Sequence, residues 1–312
     1  DFGDQLFLDA AVLLTSGGNA IDTAAVEGPG DLTVNAGAGA TTFGGALGGT
    51  TPVGDGTGAA ITINSTGTTE FATTVQTASG IVQSVGAGTI TFRDDVTIAA
   101  GDTPTDFAES VILDGLVINS GGAMTFGDAA ADTLTTTLVG VTINTTDLPV
   151  TVNATTSLSA ADLTINTDTG AGNIVFNAPV SGSFDLSFAA GTGTVTFNDA
   201  LSGPLGSGTG AAVTVSSGGS AEFVGTVTTA SGLDITPPVT FRENLTIGAG
   251  DTVTTLNGTV TLDGLDVNAA DTINFGDGAG DTVTLSTAAA SIATTANNED
   301  IVFADAISGA QD

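Results

Sequence analysis

The sequence predicts an all-β fold in which the chain winds as a parallel β-solenoid of roughly 12 coils, at about 25 residues per coil. Three observations lead to this prediction. The composition suits strands and tight turns, a series of motifs occurs twice in the same order, and phenylalanine recurs at about the spacing of one coil.

The composition requires a buried core and favours strands over helices. Hydrophobic residues make up 41% of the 312 residues and the mean hydropathy is +0.37, although 34 acidic against 2 basic side chains give a formal charge of −32. Such a charge accompanies disorder only when hydrophobicity is low. Val, Ile, Leu, Thr and 45 Gly dominate, whereas good helix formers are scarce, so strands joined by tight turns are expected.

Two long copies of one motif series divide the chain. The clearest pairs are GTGAAITI at 56–63 with GTGAAVTV at 208–215, TFRDDVTI at 91–98 with TFRENLTI at 240–247, and LDGLVIN at 113–119 with LDGLDVN at 262–268. The sequence therefore predicts one continuous repeat array over residues 1–312. It consists of a partial repeat at 1–30, repeat A at 31–184 and repeat B at 185–312.

The difference in length between the two copies favours a solenoid. Asp31 and Asp185 are 154 residues apart, whereas Asp185 and Asp312 are 127 apart, and the extra 27 residues lie mainly near 136–165. That difference is close to one coil, which a solenoid can gain or lose because each coil contacts only its neighbours. Loss of two strands would disrupt a β-sandwich, so tandem β-sandwich domains are the alternative fold.

Phenylalanine marks the unit that repeats within each copy. In eight of ten regularly spaced Phe positions, the residue four positions later is aliphatic. A strand that ends on a buried Phe, a tight polar turn and a new strand that begins on a buried aliphatic residue explain this pattern. Stacked coils are then expected to align the rings in one ladder. The ten structural residues are Phe43, Phe71, Phe92, Phe126, Phe176, Phe197, Phe223, Phe241, Phe275 and Phe303.

The strings LTVNAGAGATTFGGAL at 32–47 and LSFAAGTGTVTFNDALSG at 186–203 resemble repeats of large secreted bacterial surface proteins. These are the filamentous-haemagglutinin-like exoproteins and the autotransporter adhesins. The resemblance is one of composition and covers nearly all of the chain. It implies a right-handed parallel β-helix on the outside of the cell surface. The expected function is a non-catalytic structural or adhesive segment of an extracellular fibre or stalk.

The missing residue types exclude several classes of function. The chain has no Cys, His, Lys, Trp or Tyr. Nucleic acid and anionic membranes are not expected as partners, because two arginines cannot neutralise many phosphates. A carbohydrate-active β-helix enzyme with paired carboxylates is an alternative function. Such enzymes commonly use Lys, Arg, His or Tyr, and their sugar sites use Trp or Tyr, so no enzyme is expected.

Arg93 and Arg242 occupy equivalent positions in the two copies. Each follows the Phe of its coil and precedes acidic residues, which are Asp94 and Asp95 in the first copy and Glu243 in the second. The expected role is structural. Each arginine would pair with carboxylates of its own or adjacent coils and relieve the local repulsion between anions.

Two matching acidic turns are the candidate metal site. The segments FGDAAADT at 126–133 and FGDGAGDT at 275–282 place Asp128 with Asp132, and Asp277 with Asp281, four residues apart. Ca²⁺ prefers several oxygens from carboxylates and loop carbonyls, which such turns can present. A Ca²⁺-binding adhesion module is therefore a second alternative function, and no other cofactor is expected. A solvated acidic turn is the competing interpretation.

Both ends of the sequence resemble interior coils. LDAAVLLTSGG at 8–18 matches LDGLVINSGG at 113–122, and the last block stops where its relative at Asp185 continues. An uncapped solenoid exposes strand edges that pair with another chain. The expected partner is another copy of the chain, end to end or side by side in a filament, besides a host or matrix surface. A segment of a longer stalk is the other interpretation.

We expect added cations to stabilise the fold. Carboxylates in register on coils about 4.8 Å apart repel by about 0.9 kcal/mol per pair even in water, and salt screens this repulsion. The melting temperature should therefore rise with millimolar CaCl₂ or with higher NaCl, as measured by calorimetry. NaCl at matched ionic strength is the control for a specific effect of Ca²⁺. A melting temperature that responds to neither salt would contradict the expectation.

Overall fold

The fold is described from a computed structural model and is an all-β solenoid. The structure describes residues 3–216, 219–278, 280–286, 290–295, 299–304 and 306–309, and no helix occurs among them. The chain winds as a right-handed parallel β-solenoid of about 13 coils, so the predicted fold class is confirmed. Residues 1–2 and 310–312, at the ends of the predicted repeat array, lie outside the described residues.

The chain forms two compact units, residues 1–155 and 156–312. The first unit contains three long parallel sheets and one two-stranded parallel sheet. In its described part no strands pair in the antiparallel way that a β-sandwich requires. Its strands are β1 Leu6–Phe7, β2 Val12–Thr15, β3 Ile21–Thr23, β4 Val26–Glu27, β5 Leu32–Asn35, β6 Thr41–Phe43, β7 Ile61–Ile63, β8 Thr69–Phe71, β9 Val75–Thr77, β10 Ile81–Gln83, β11 Ile90–Phe92, β12 Val96–Ile98, β13 Thr105–Phe107, β14 Val111–Asp114, β15 Val117–Ser120, β16 Met124–Phe126, β17 Thr133–Thr137, β18 Val141–Thr145 and β19 Val150–Val152. The sheet orders are β2-β5-β7-β10-β13-β16-β19, β3-β6-β8-β11-β14-β17 and β9-β12-β15-β18, and β1 pairs with β4.

The second unit repeats this architecture, with three parallel sheets, and its first strand begins one residue before the unit boundary. Its strands are β20 Thr155–Leu158, β21 Leu163–Asn166, β22 Ile174–Phe176, β23 Val180–Gly182, β24 Leu186–Ala189, β25 Thr194–Phe197, β26 Leu201–Leu205, β27 Val213–Val215, β28 Ser220–Phe223, β29 Val227–Thr229, β30 Leu233–Ile235, β31 Val239–Phe241, β32 Leu245–Ile247, β33 Thr254–Leu256, β34 Val260–Leu262, β35 Asp266–Ala269, β36 Ile273–Phe275, β37 Thr282–Leu285, β38 Ser291–Thr294, β39 Ile301–Phe303 and β40 Ala306–Gly309. The sheet orders are β22-β25-β28-β31-β34-β37-β40, β20-β23-β26-β29-β32-β35-β38 and β21-β24-β27-β30-β33-β36-β39.

Alternation along short strands separates the core from the surface. In β11, Ile90 and Phe92 are buried while Thr91 between them faces outward. Thr91 lies opposite Glu70 on β8 and Ile112 on β14, so one outward residue per strand forms a file across the sheet. This period of two is the expected pattern for a strand with one buried face.

The predicted strand, turn and strand pattern is confirmed at six of the ten Phe positions, which are Phe71, Phe92, Phe176, Phe197, Phe223 and Phe241. Seven of the eight aliphatic residues four positions after a Phe are buried, with exposed fractions of 0–1%, and six of these seven begin a strand. Ile307 is the exception, with 55% exposure. The seven buried residues are Leu47, Val75, Val96, Val180, Leu201, Val227 and Leu245.

The Phe rings of the first unit form one stack of three rings and a tilted pair on another sheet, rather than one ladder. Phe43, Phe71 and Phe92 stack on adjacent strands, with centroids 4.9 and 4.8 Å apart. Phe126 lies in a different sheet, 5.4 Å from Phe107, which meets Phe92 edge-on at 5.6 Å. Phe71 and Phe92 are 21 residues apart, which is one coil. Phe126 follows Phe92 by 34 residues, which is not a whole number of coils, so its ring cannot lie above that of Phe92. The prediction of a single ladder is therefore wrong here.

The second unit shows the same division. Phe176, Phe197, Phe223 and Phe241 stack on β22, β25, β28 and β31, with successive centroids 5.0 to 5.1 Å apart. Phe275 and Phe303 form a separate pair at 5.1 Å on β36 and β39 of another sheet. Each stacked pair adds about 0.5–1.5 kcal/mol to the stabilisation from burial alone.

One turn holds a bulky residue in a conformation that favours glycine. Gly115, after β14, has a φ of +65°, and Leu138, after β17 in the next coil, has a φ of +63°. The two residues occupy the same place, because Asp114 and Thr137 before them are paired in register. Leu138 is 67% exposed, so burial offsets little of the cost of this conformation, which is about 1–2 kcal/mol for a residue with a Cβ atom.

We expect Leu138→Asn to stabilise the first unit by up to about 1 kcal/mol, because Asn tolerates the left-handed region better than Leu does. The urea midpoint of the full chain should rise. Val139→Asn is the matched control, since Val139 is also 67% exposed but is not among the residues with positive φ. A lower urea midpoint for Leu138→Asn than for the unmodified chain would show that the leucine side chain itself is needed.

Candidate functional site

Arg93 joins three coils of the first unit. It lies in the turn after β11, where its Nε donates to Glu70 Oε1 at 2.8 Å and its Nη1 donates to Asp114 Oδ2 at 2.7 Å. Glu70 belongs to the preceding coil and Asp114 to the following one. The adjacent Asp95 instead accepts the backbone N–H of Val117 at 2.8 Å. The partners of Arg93 therefore come from the neighbouring coils.

Arg242 makes the same arrangement in the second unit. Its Nε donates to Glu222 Oε1 at 2.6 Å and its Nη1 donates to Asp263 Oδ2 at 3.3 Å. Glu222 lies on β28, and Asp263 follows β34. The hydrogen bond and the charge of Glu222 raise the pKa of Arg242, with a smaller contribution from Asp263. The cation is thus held between two anions.

Each network continues to a hydroxyl group on a further coil. Thr137 Oγ1 donates to Asp114 Oδ1 at 2.8 Å, and Ser286 Oγ donates to Asp263 Oδ1 at 2.7 Å. In both units the order carboxylate, arginine, carboxylate and hydroxyl therefore runs across four successive coils. We call these two sets the arginine networks.

The arginine networks contribute modestly to stability. The side chains of Arg93 and Arg242 are 46% and 48% exposed, and exposed ion pairs contribute at most about 1 kcal/mol each. Their clearest effect is to place a positive charge between carboxylates that face the same side of successive coils. Without it these carboxylates would repel one another.

The candidate metal ligands close their own turns. Asp132 Oδ2 accepts two backbone N–H groups and Asp281 Oδ2 accepts the equivalent two. The bonds run from Asp128 at 3.2 Å and Ala129 at 3.0 Å to Asp132, and from Asp277 at 3.1 Å and Gly278 at 3.3 Å to Asp281. One carboxylate of each pair therefore serves as the cap of a tight turn.

The second member of each pair lies at the surface of its turn. Asp128 faces Asp106 on β13, whose pKa is raised by burial and then by the charge of Asp128. Within the part of the chain that the structure describes, no three or more acidic side chains converge as metal ligands do. Ca²⁺ takes six to eight oxygens. Calcium binding at these four residues stays a prediction.

Each of two glycine-rich loops is held by the carboxylate of a distant Asp, which the sequence analysis did not predict. Asp102 Oδ1 accepts the N–H of Gly58 at 2.6 Å, while the N–H of Asp102 donates to Gly56 O at 3.2 Å. In the second unit, Asp251 forms the same two bonds with Gly210 and Gly208, at 2.6 and 3.2 Å. The signal was present, because the motif AGDT occurs at 100–103 and again at 249–252.

The carboxylates of the arginine networks were also missed. The expectation allowed partners in the same coil or in adjacent coils without naming them, and the observed partners lie in adjacent coils, 20 to 23 residues away. Each Glu precedes a Phe by one position, in TEF at 69–71 and AEF at 221–223, and each Asp lies in an LDG motif. Alignment of the two copies coil by coil would have found all four.

Comparison with known proteins gives no relative. The chain matches no protein-family model, no curated protein and no solved structure. The β-helix repeat is therefore established by the fold itself. Among the described residues, no helix is long and apolar enough to cross a lipid bilayer.

We expect Arg93→Gln to lower the stability of the first unit by roughly 1 kcal/mol, because Glu70 and Asp114 lose their shared cation. The loss should grow at low ionic strength, where screening is weak. Urea denaturation at two salt concentrations measures it. Arg93→Lys should recover part of the loss, and Arg242→Gln should behave as Arg93→Gln does. Equal stability of Arg93→Gln and the unmodified chain at low salt would exclude this role.

Proposed function

We propose that the chain is a non-catalytic structural or adhesive segment of an extracellular bacterial surface fibre or stalk. The observation that carries the proposal is the set of bonds that each coil makes to the next. Backbone hydrogen bonds in parallel register join each coil to the next, stacked Phe rings join several coils, and one arginine network in each unit spans four coils. Because each coil is stabilised by its neighbours, extension of the chain would have to break the contacts between coils. This suits a structural spacer.

The outer surface supports a passive role. The outward residue is Thr33 in β5, Thr62 in β7 and Thr91 in β11, and these are small hydroxyl side chains. The acidic turns and glycine-rich loops are occupied by hydrogen bonds within the chain. Trypsin-like proteases have only Arg93 and Arg242 as cleavage sites, and both are ion-paired. Such a surface suits a durable polymer exposed to its surroundings.

Assembly with further copies of the chain is part of the proposal. The described strands pair in parallel with strands of the next coil, and strand edges of this kind can pair with another chain. The formal charge of −32 opposes direct contact between copies, so their association would run through bound cations or through the uncharged hydroxyl faces. A host or matrix surface is the second partner, as the adhesive role requires.

An epitope in an exposed turn tests this function in the source cells. Val85 is 75% exposed and nothing lies within 4 Å of a Cβ atom placed on Gly86, so a short epitope inserted after Gly86 should be tolerated. We expect the antibody to label intact cells, and electron microscopy to place the label on fibres or stalks. We also expect deletion of the gene to reduce attachment to surfaces or to other cells.

Permeabilised cells provide the control for the labelling. Label that appears only after permeabilisation would overturn the extracellular location. Label on intact cells that is spread over a smooth surface, together with normal attachment of the deletion strain, would overturn the structural and adhesive role. Circular dichroism of the purified tagged chain shows that the insertion leaves the β-fold intact.

A further inference from the structure

In the second unit, a half-buried carboxylate anchors the glycine-rich loop at 206–212. Asp185 Oδ1 accepts the backbone N–H of Ser207 at 2.9 Å, and Asp185 Oδ2 accepts the Ser207 hydroxyl at 2.9 Å. Gly206 has a φ of +106°, and a Cβ atom placed on it would lie 3.2 Å from Asp185 Oδ1. The loop therefore lies directly on Asp185, with both carboxylate oxygens paired.

In the first unit, Asp31 takes the place of Asp185 beneath the loop at 54–60. Gly54 has a φ of +96°, and a Cβ atom placed on it would lie 3.2 Å from Asp31 Oδ1. The two loop sequences, GDGTGAA and GSGTGAA, differ only at Asp55, which stands where the second unit has Ser207. The same backbone thus places a carboxylate, instead of a hydroxyl, above the anchoring carboxylate.

The side chain of Asp55 copies one contact of Ser207 but not the other. Asp55 Oδ1 accepts the N–H of Thr57 at 2.8 Å, just as Ser207 Oγ accepts the N–H of Thr209 at 3.2 Å. Ser207 also donates its hydroxyl proton to the anchoring carboxylate, whereas an ionised Asp55 has no proton to donate. Asp31 Oδ1, the counterpart of the Asp185 oxygen that accepts the Ser207 N–H, is buried and accepts no hydrogen bond of normal geometry, an arrangement that is unfavourable for a carboxylate.

We propose that Asp31 and Asp55 share one bound proton, which supplies in the first unit the hydrogen bond that the Ser207 hydroxyl makes in the second. The proton comes from solvent and is taken up by the Asp31 carboxylate. The new O–H then donates to the ionised Asp55 carboxylate, so that the pair carries one negative charge instead of two. The pair is a proton-sensitive contact between a coil and the loop that crosses it.

The electrostatic surroundings favour Asp31 as the residue that holds the proton. Burial, and next the charge of Asp55, raise the pKa of Asp31; Asp102 adds to the increase and the Asp55 backbone N–H opposes it. The N–H and hydroxyl of Thr57 lower the pKa of Asp55. On the other side of Asp31, the turn at 8–10 packs against Gly28 and Gly30. Its one charged residue is Asp9, which is exposed.

The direction of the pH effect follows from the raised pKa of Asp31. Because Asp31 binds a proton more tightly in the folded chain than in the unfolded chain, the proton stabilises the fold at acid pH. This stabilisation is lost as the pH rises through the folded pKa of Asp31. The first unit therefore holds its loop more tightly at acid pH than at neutral pH, whereas the Ser207 contact in the second unit needs no added proton.

Carboxyl NMR of the full chain, labelled with ¹³C at Asp, tests the proposal directly. The Asp31 signal is assigned from its loss in Asp31→Asn. We expect Asp31 to titrate above the ordinary Asp value of about 3.9, and to return towards that value in Asp55→Ser. The reciprocal variant Ser207→Asp creates the same pair in the second unit, so it should enlarge the rise of the melting temperature between pH 7 and pH 5.

The outcome of Asp55→Ser decides the matter. An Asp31 midpoint that is the same in the unmodified chain and in Asp55→Ser would overturn the shared proton. Asp55→Ser gives the first loop the sequence GSGTGAA, which already folds at 206–212. This variant can therefore be measured even if Ser207→Asp fails to fold. As a second measurement, the rise of the melting temperature between pH 7 and pH 5 should shrink in Asp55→Ser, and an unchanged rise counts against the proposal.

Discussion

The structure depends on the close parallel stacking of one coil directly on the next. Parallel strands lie about 4.8 Å apart, which brings backbone against backbone at the turns as well as in the sheets. A Cβ atom placed on Gly67 would lie 2.3 Å from Gly39 O, and one on Gly88 would lie 2.3 Å from Gly67 O. A column of glycines on successive coils thus permits a backbone-to-backbone distance that no residue with a Cβ atom allows. The register that results puts each side chain above its counterpart in the neighbouring coil.

Stacking of like residues is favourable inside the solenoid and unfavourable outside it. Rings such as Phe71 and Phe92 gain from alignment, at 4.8 Å and 6° between planes. Carboxylates in the same register repel, and 34 acidic side chains face this problem with two arginines. At several positions backbone N–H groups offset part of the charge, as Asp102, Asp132 and Asp281 show. These acids are therefore parts of turns rather than free surface charges.

The sequence predicted the features that repeat locally, but it did not predict which residues meet between coils. The residue pattern around each Phe spans five positions, so it could be read directly and it predicted the strands correctly. The single ladder failed because the Phe position moves from one sheet to another: Phe92 lies on β11, whereas Phe126, 34 residues later, lies on β16 of a different sheet. The partners of Arg93 and the bond from Asp102 to Gly58 join residues 21 to 44 positions apart. Such pairs follow only from the exact register of the coils, which motif spacing alone does not provide.

Comparison of the two copies of the motif series shows which contacts belong to the fold and which belong to only one unit. Four members of each arginine network take the same order in both units, although their sequences differ around them. This agreement indicates that the network belongs to the way coils are joined. By contrast, the loops at 54–60 and 206–212 share their glycines, their φ angles and their distant Asp fastener, yet differ at Asp55 and Ser207. A difference confined to one side chain on a shared backbone changes chemistry without changing fold, so the first unit can respond to protons where the second does not.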